Sequence, residues 1–348
     1  MKQATIQQAA RQFGEGIPSI EALGQGLIHH TYKVSYPGNA PIVLQCINPT
    51  VFRQPGDIIY NYRQVADFLR QQSSAVQPPA MIQAKGGYDA FTDEEGNFWR
   101  ATAFIPHSRS IALVSDAKQV SAAAHCFAAF THALSGLPAS GLRTIIPGFH
   151  DLSLRYRQFE DTVRSAHINR LLKATHVISE LRDRQELVDF YEEMTANPAE
   201  YPLRIMHHDC KISNVLFDER GEKALCPVDL DTMMPGYYFS DLGDMIRSMA
   251  CTEDENSTAW ELIGVHKIYY DTIIREYQAE IGTLTGSEKK NIHKAGRLIT
   301  YMQCLRYVTD FLENDVYYKT TYPEQNLNRA LNQLILLEKL EETDHKVL

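Results

Sequence analysis

The six cysteines of this 348-residue chain lie far apart, and none forms a C-x-x-C pair. That excludes the usual zinc-site and disulfide frameworks and fits reduced thiols in a cytoplasmic protein. Long apolar runs are absent, so no membrane-spanning helix and no membrane partner are expected. The first residues, MKQATIQQAARQFGEG, lack the apolar core of a secretory signal. Basic residues are in deficit: 34 Lys and Arg stand against 43 Asp and Glu, a net charge of −9. Such a balance argues against nucleic acid as a general partner. No repeat of roughly 20–50 residues and no low-complexity block interrupts the chain, and no obligatory protein partner is evident.

What is present is ordinary for a globular protein: 44% hydrophobic residues, and a length that allows two domains at roughly 150 residues each. The pattern changes character near residue 107. Before it lie β-like runs at 31–35, 42–48 and 98–105, broken by turns such as Pro37-Gly38 and Gly86-Gly87. One helix interrupts them. Pro55-Gly56-Asp57 starts it, and Ile58, Tyr62, Val65 and Leu69 recur at helical spacing. Beyond residue 107 helices dominate. Val120, Ala124, Phe127 and Leu134 line the first, and others are expected near 151–172, 180–195, 258–281, 288–313 and 324–341, with Ser287 as a cap. The strand-like exceptions are 203–206, 215–218 and 224–230. The last two flank the charged turn 218–223 and predict a hairpin planted in the helical part.

That hairpin carries the chemistry. Residues 207–218 read HHDCKISNVLFD, and Asp209 and Asn214 stand at the D-x-x-x-x-N spacing of a kinase catalytic loop. Asn214 enters the outgoing strand, and the return strand ends at Asp229 in PVDLD. Pairing the strands sets Asn214 beside Asp229, two oxygen ligands of the kind Mg²⁺ takes. Phosphoryl transfer requires a metal on the phosphates and a group that orients the attacking hydroxyl. Asp229 is then the anionic ligand, Asn214 the neutral one, Asp209 the proton acceptor, and Lys211 a charge for the transferring phosphoryl group. A competing reading makes His207, His208 and Asp209 the metal ligands of a hydrolase. Adjacent residues on an extended chain point oppositely, and no H-E-x-x-H occurs.

These segments make the chain resemble the aminoglycoside phosphotransferase/choline kinase group of the protein-kinase-like superfamily, and within it the N-acetylhexosamine 1-kinases. The resemblance rests on HHDCKISNVLFD at 207–218, CPVDLDTMMPGYYFSDLGDMIR at 226–247, GQGLIHHTYKV at 24–34, VLQCINPTVF at 43–52 and RYVTDFLENDVYYKTTYPEQNLNRA at 306–330. It implies an α+β, bilobal protein-kinase-like fold: a small β-rich nucleotide-binding lobe over 1–105 and a large, mostly helical catalytic and acceptor-binding lobe over 106–348. It implies ATP and Mg²⁺ as cofactors and a small-molecule sugar or alcohol as substrate, most specifically the anomeric hydroxyl of an N-acetylhexosamine. The alternatives are another small alcohol, such as an amino alcohol or aminoglycoside, or a nucleotide-binding pseudokinase.

The same resemblance implies roles for single residues. Asp241, in FSDLGD, matches the aspartate that steadies the catalytic loop, with a helix N-cap as a compatible reading. Asp231 is placed near the metal or the sugar. Arg306 and Tyr317 are implied sugar contacts, against a surface salt bridge and core packing respectively. Gly24 and Gly26 belong to the implied phosphate-covering loop, and Phe104 and Ile105 to the implied adenine-binding hinge. Two departures stand out. The third strand carries Gln45 where protein kinases carry a lysine, and the following helix offers Asn61 rather than an acid. Lys33 on the preceding strand is the one candidate substitute. Cys210 stands where the sugar kinases commonly carry threonine, and a small side chain beside the base is expected to bear on substrate preference.

Overall fold

The structure is a computed structural model and describes residues 2–24 and 28–344. It opens on α1 (Gln3–Phe13), a helix that the sequence reading did not anticipate; its Ile6, Ala9, Ala10 and Phe13 make one buried stripe. Then come β1 (Ser19–Ala22), β2 (His30–Ser35), β3 (Ile42–Ile47), α2 (Pro55–Gln71), β4 (Met81–Ile82), β5 (Phe91–Thr92) and β6 (Phe98–Ala103). The strands form one antiparallel sheet in the order β1-β2-β3-β6-β4, with β5 also on β6. Successive side chains alternate between its faces. Ile42, Leu44, Cys46, Trp99 and Ala101 turn to the α1 side and close a core with it. Val43, Gln45 and Arg100 turn to the opposite face.

The rest of the chain is mostly helical. In order it comprises β7 (Ser108–Ser110), α3 (Ala117–Ala133), α4 (Leu152–Ser165), α5 (Ile168–Arg182), α6 (Glu186–Ala196), β8 (Arg204–Met206), β9 (Val215–Asp218), β10 (Ala224–Pro227), β11 (Met234–Gly236), α7 (Phe239–Met249), α8 (Lys267–Ile281), α9 (Gly286–Lys290), α10 (Lys294–Leu312) and α11 (Gln325–Asp344). Helix α10 is buried almost all round, as a helix at the centre of a bundle must be, and α4, α7 and α11 pack on it. The whole is the α+β, two-lobed architecture expected: a small antiparallel sheet with its helices, and a larger helical body. Helix α2 ties the two together. Its Tyr62, Val65 and Leu69 share a core with Phe130, Leu134, Ile205, Leu230 and Met233. Its Asn61 amide donates to Arg143 O at 2.8 Å and Met233 O at 2.9 Å.

Several boundaries differ from expectation for identifiable reasons. The helix expected over 151–172 is two, because the chain turns extended at Ala166 and His167, where the His167 ring caps α5. The stretch 258–281 begins as a 3₁₀ turn, Trp260–Leu262, and becomes α-helical only at Lys267. The cap near 287 is Thr285, which forms a reciprocal capping box with Glu288, while Ser287 donates to Glu200 instead. The return strand of the hairpin stops at Pro227, because Asp229 is left-handed at φ 61°, ψ 54° and breaks the ladder. All six cysteines are free, and no helix among the described residues is long and apolar enough to cross a membrane.

The α7–α10 contact depends on two glycines. A Cβ on Gly243 would lie 2.3 Å from the Ala295 carbonyl oxygen, and one on Gly296 would lie 2.7 Å from Ile246 Cγ2. Gly243→Ala should therefore destabilise the protein by roughly 1–3 kcal/mol through overpacking, despite a helix-propensity gain of about 1 kcal/mol. A lowered urea midpoint checks this; an unchanged or raised midpoint contradicts it.

Candidate active site

The site is built where two short ladders face each other. Strand β8 pairs with β11, Met206 opposite Met234, and β9 pairs with β10, Val215 opposite Pro227. The loop from β8 to β9 carries Asp209, Lys211 and Asn214. The segment from β10 to β11 carries Asp229 and Asp231. The Val228 N–H donates to Asn214 O at 2.8 Å, so the pairing extends one step past the strands and sets Asn214 next to Asp229.

The loop is held by its neighbours. Asp241, at the third position of α7, accepts from the His207 N–H at 3.0 Å and the His208 N–H at 2.8 Å through different oxygens. It is not the N-cap, a place held by Tyr238. His208 is left-handed at φ 67°, as is Asp229. For residues other than glycine this costs roughly 1–2 kcal/mol each, and the Asp241 grip is what keeps the first in place. Both histidine rings are committed. His207 contacts Val228 O at 2.9 Å and the Asp209 N–H at 3.3 Å, and His208 contacts Met234 O at 3.3 Å and His150 Nδ1 at 3.2 Å. Neither is free to ligate a metal, which removes the hydrolase reading.

Asn214 Nδ2 donates to Asp209 Oδ2 at 2.7 Å and to its carbonyl at 2.9 Å. Two acceptors on that side fix the NH₂ there and leave Oδ1 free to meet a cation. Lys211 Nζ sits 3.0 Å from the same Asp209 oxygen. Burial alone would push the Asp209 carboxyl up; Lys211 and the Asn214 hydrogen bond more than offset it and hold it below the usual range. Asp209 is therefore anionic at neutral pH, as a proton acceptor must be. Asp229 goes the other way. Its tip is open to solvent, yet crowding around it thins its hydration, and the negative charges of Asp231 and Asp209 add to this; together they raise its carboxyl above the usual range. Lys211 and Arg100 offset this only in part, and an added cation would relieve it.

Asp231 is joined to the sheet through Arg100 of β6. It is 2% exposed; Arg100 Nη1 is 2.5 Å from Oδ1 and His29 Nε2 is 2.8 Å from Oδ2. Burial would raise its carboxyl, but Arg100 and His29 bring it down to about 2. Asp231, Asp229 and His29 each offer a ligand atom, and these lie within 4.8 Å of one another. Each Asp231 oxygen thus has its own charged partner. An all-oxygen set of one carboxamide and one carboxylate, Asn214 and Asp229, fits a hard divalent cation bridged to phosphate.

The other expected contacts are distributed as follows. Gly24 sits in the β1–β2 connection with φ +70° and open space around it, and Gly26 lies outside the described residues. Gln45 does not point freely into the cleft: its Oε1 accepts from Arg100 and its Nε2 donates to Thr31. Lys33 lies over the Phe104 ring at 4.6 Å, opposite Val43 rather than Gln45, so it stands at the hinge and not where a third-strand lysine would act. The Phe104 N–H is spent on Pro41 O, and the Ile105 carbonyl accepts from Ser108, while the Ile105 N–H meets no protein acceptor among the described residues. Cys210 is fully buried in the core of the helical body, so it does not line a substrate site.

Arg306 is ringed by Phe149 at 5.1 Å, Tyr318 at 5.5 Å and Tyr317 at 5.9 Å, and donates to Gln303; no carboxylate pairs with it among the described residues. It is thus no surface salt bridge. Tyr317 is 60% exposed and is not a core residue. Arg155 lies on the other side of Phe149, donating to its carbonyl, with Nε buried and unsatisfied; burial and the charge of Arg306 push its guanidinium below its usual value. Phe149 stacks on His150 at 4.5 Å, which connects this cluster to His208 and so to the catalytic loop. His29, Arg100, Phe149, His150 and Arg155 were not singled out from the sequence. None of these carries a local sequence signal; Arg100 stands out only once β3 and β6 are paired and it faces Gln45.

Comparison with known proteins agrees with the fold. A profile described as "Phosphotransferase enzyme family" matches residues 19–266, more than half of the chain. Among solved structures, a microcompartment-associated aminopropanol kinase superposes with a TM-score of 0.67 at 16% identity, covering 98% of each chain. An aminoglycoside phosphotransferase from Alicyclobacillus acidocaldarius subsp. acidocaldarius gives 0.64 at 14% identity, covering 98% of this chain and 96% of that one. A spectinomycin phosphotransferase in complex with ADP and spectinomycin gives 0.62 at 13% identity, covering 99% of each. At these identities the likeness is one of fold, whereas the profile match identifies the lineage: the chain belongs to the phosphotransferase enzyme family and is a small-molecule phosphotransferase.

Proposed function

We propose that the protein is an ATP- and Mg²⁺-dependent sugar kinase, acting on the anomeric hydroxyl of an N-acetylhexosamine in the cytoplasm. The observation that carries the kinase chemistry is the lock between Asp209, Lys211 and Asn214 beside the under-neutralised Asp229. We take residues 1–105 as the nucleotide lobe and 106–348 as the catalytic and acceptor lobe, since the first sheet ends at Ala103 and β7 joins β9. Gly24, Phe104 and Ile105 then border the nucleotide, and Asn214 Oδ1 and the Asp229 carboxylate hold the cation. The bound metal would draw charge from the phosphates and favour departure of ADP.

The chain's own groups do the rest. Asp209 accepts the proton of the attacking hydroxyl and aims it, because Asn214 and Lys211 fix the carboxylate in one rotamer. Lys211 offsets negative charge on the phosphoryl oxygens as they move. Asp241 prevents the loop from relaxing out of its left-handed turn. The acceptor side favours a sugar over a cationic alcohol. Arg306 and Arg155 are two guanidiniums that make no ion pair with a carboxylate among the described residues, and they are set among Phe149, Tyr317 and Tyr318. Two such groups repel an ammonium, and their free N–H donors suit hydroxyl and amide oxygens, with the aromatic faces against the ring carbons.

Asp209→Asn should lower turnover by ~10²–10⁴-fold with little change in KM for ATP, and Asp229→Ala should remove Mg²⁺-dependent transfer. Steady-state kinetics against magnesium concentration check both; near-normal turnover in the first, or unchanged magnesium dependence in the second, would contradict these roles. Phosphorus NMR of products from ATP with hexosamines, amino alcohols and aminoglycosides should give an anomeric phosphate from the N-acetylhexosamines alone. Arg306→Ala should raise the acceptor KM about tenfold and leave the ATP KM in place. Transfer to amino alcohols with no sugar product would replace the sugar reading, and nucleotide binding with no transfer to any acceptor would support a pseudokinase.

A further inference from the structure

Kinases of this fold ordinarily grip the phosphates with a lysine on the third strand, paired with an acid on the following helix. Neither residue exists here, and the helix position is not vacant for the task. The Asn61 amide is fully used, donating to Arg143 O and Met233 O and accepting from the Arg143 N–H at 2.8 Å. Lys33 is held at Phe104. A cation does stand at the missing lysine's place, one strand over. Arg100 on β6 is directly opposite Gln45 on β3, 3% exposed, with Nε 3.0 Å and Nη2 2.9 Å from Gln45 Oε1. Its remaining nitrogen, Nη1, reaches across to Asp231.

The second half of the network enters through His29, which follows the connection between β1 and β2. Its Nδ1 accepts from the Asn48 N–H at 3.0 Å, which puts the ring proton on Nε2, the atom 2.8 Å from Asp231. One carboxylate two residues from Asp229 therefore binds β6 through Arg100 and the residue just before β2 through His29. Asp231 and Arg100 are 2% and 3% exposed, so the pairing is shielded from water and holds both side chains in one geometry.

We propose that Arg100 takes over the work of the absent third-strand lysine. Anchored by Gln45 and paired with Asp231, it holds the turn bearing Asp229 against the sheet and so fixes where the metal and the phosphates on it are received. It is a positioning residue for the nucleotide and its metal. An arginine suits the task because its fork engages Gln45 and Asp231 at once, which a lysine cannot do. The inference rests on the phosphotransferase chemistry of the site and not on which acceptor is used.

The test is calorimetric titration of Mg-ADP into the full-length protein and its variants, with the melting temperature of each measured without nucleotide. Arg100→Met should weaken Mg-ADP binding at least about tenfold and Arg100→Lys by less; the exchange Gln45→Lys with Arg100→Gln, which returns a lysine to the third strand, should recover most of the loss. The KM for ATP should rise by the same factor while the acceptor KM stays in place. A folded Arg100→Met protein that binds Mg-ADP as tightly as the unaltered one overturns the proposal. Should that variant not fold, Gln45→Leu reads the same claim: Arg100 is present but unanchored, a loss of roughly threefold or more is expected, and unchanged affinity overturns it. Failure of the unaltered protein to bind Mg-ADP would count against the nucleotide site itself, which separates that failure from one specific to Arg100.

Discussion

Everything in the site depends on two short ladders facing each other. The β8–β11 and β9–β10 pairs clamp both ends of two loops, and the loops have no freedom to separate. Asp209 and Asn214 hang on one, Asp229 and Asp231 on the other. Two left-handed residues, His208 and Asp229, make the turns tight enough to bring these side chains together. Such turns are unfavourable for residues other than glycine and persist only where the surroundings impose them. Here Asp241 imposes the first by taking two backbone N–H groups, and the Val228–Asn214 bond sets up the second. Backbone strain, a buried carboxylate and a ladder register are thus one device.

That device creates a charge imbalance which the rest of the molecule manages. Three carboxylates, Asp209, Asp229 and Asp231, crowd one cleft. Lys211 pairs with the first and Arg100 with the third, while Asp229 makes no ion pair among the described residues. The arrangement leaves one carboxylate and one carboxamide oxygen for a divalent cation and keeps the proton acceptor anionic. Around Phe149 the balance reverses: Arg155 and Arg306 make no ion pair with a carboxylate among the described residues.

Local features were legible in the sequence and cross-strand ones were not. The charged turn 218–223, flanked by apolar runs, announced the hairpin, and D-x-x-x-x-N placed Asp209 and Asn214 on its approach. Asp57, Pro55 and the spacing of Ile58, Tyr62, Val65 and Leu69 announced α2. Helix α1 carries a readable stripe, Ile6, Ala9, Ala10 and Phe13, but its many glutamines concealed it. The end of the return strand was misplaced because nothing local marks Asp229 as left-handed; the conformation is imposed by packing. Arg100, His29 and Asp231 lie far apart in the chain, and no spacing rule links them. Only the register of β3 against β6 sets Arg100 over Gln45, so the absent lysine was readable and its replacement was not.

The central claim is that one divalent cation sits between the Asn214 carboxamide and the Asp229 carboxylate. Manganese scatters anomalously and takes the same oxygen ligands as magnesium, so crystals grown with manganese and a non-hydrolysable ATP analogue test the claim directly. The account predicts an anomalous peak about 2 Å from both Asn214 Oδ1 and an Asp229 oxygen, on the side of Asn214 turned away from Asp209. A strong peak elsewhere, with Asn214 Oδ1 turned to another partner, would contradict it.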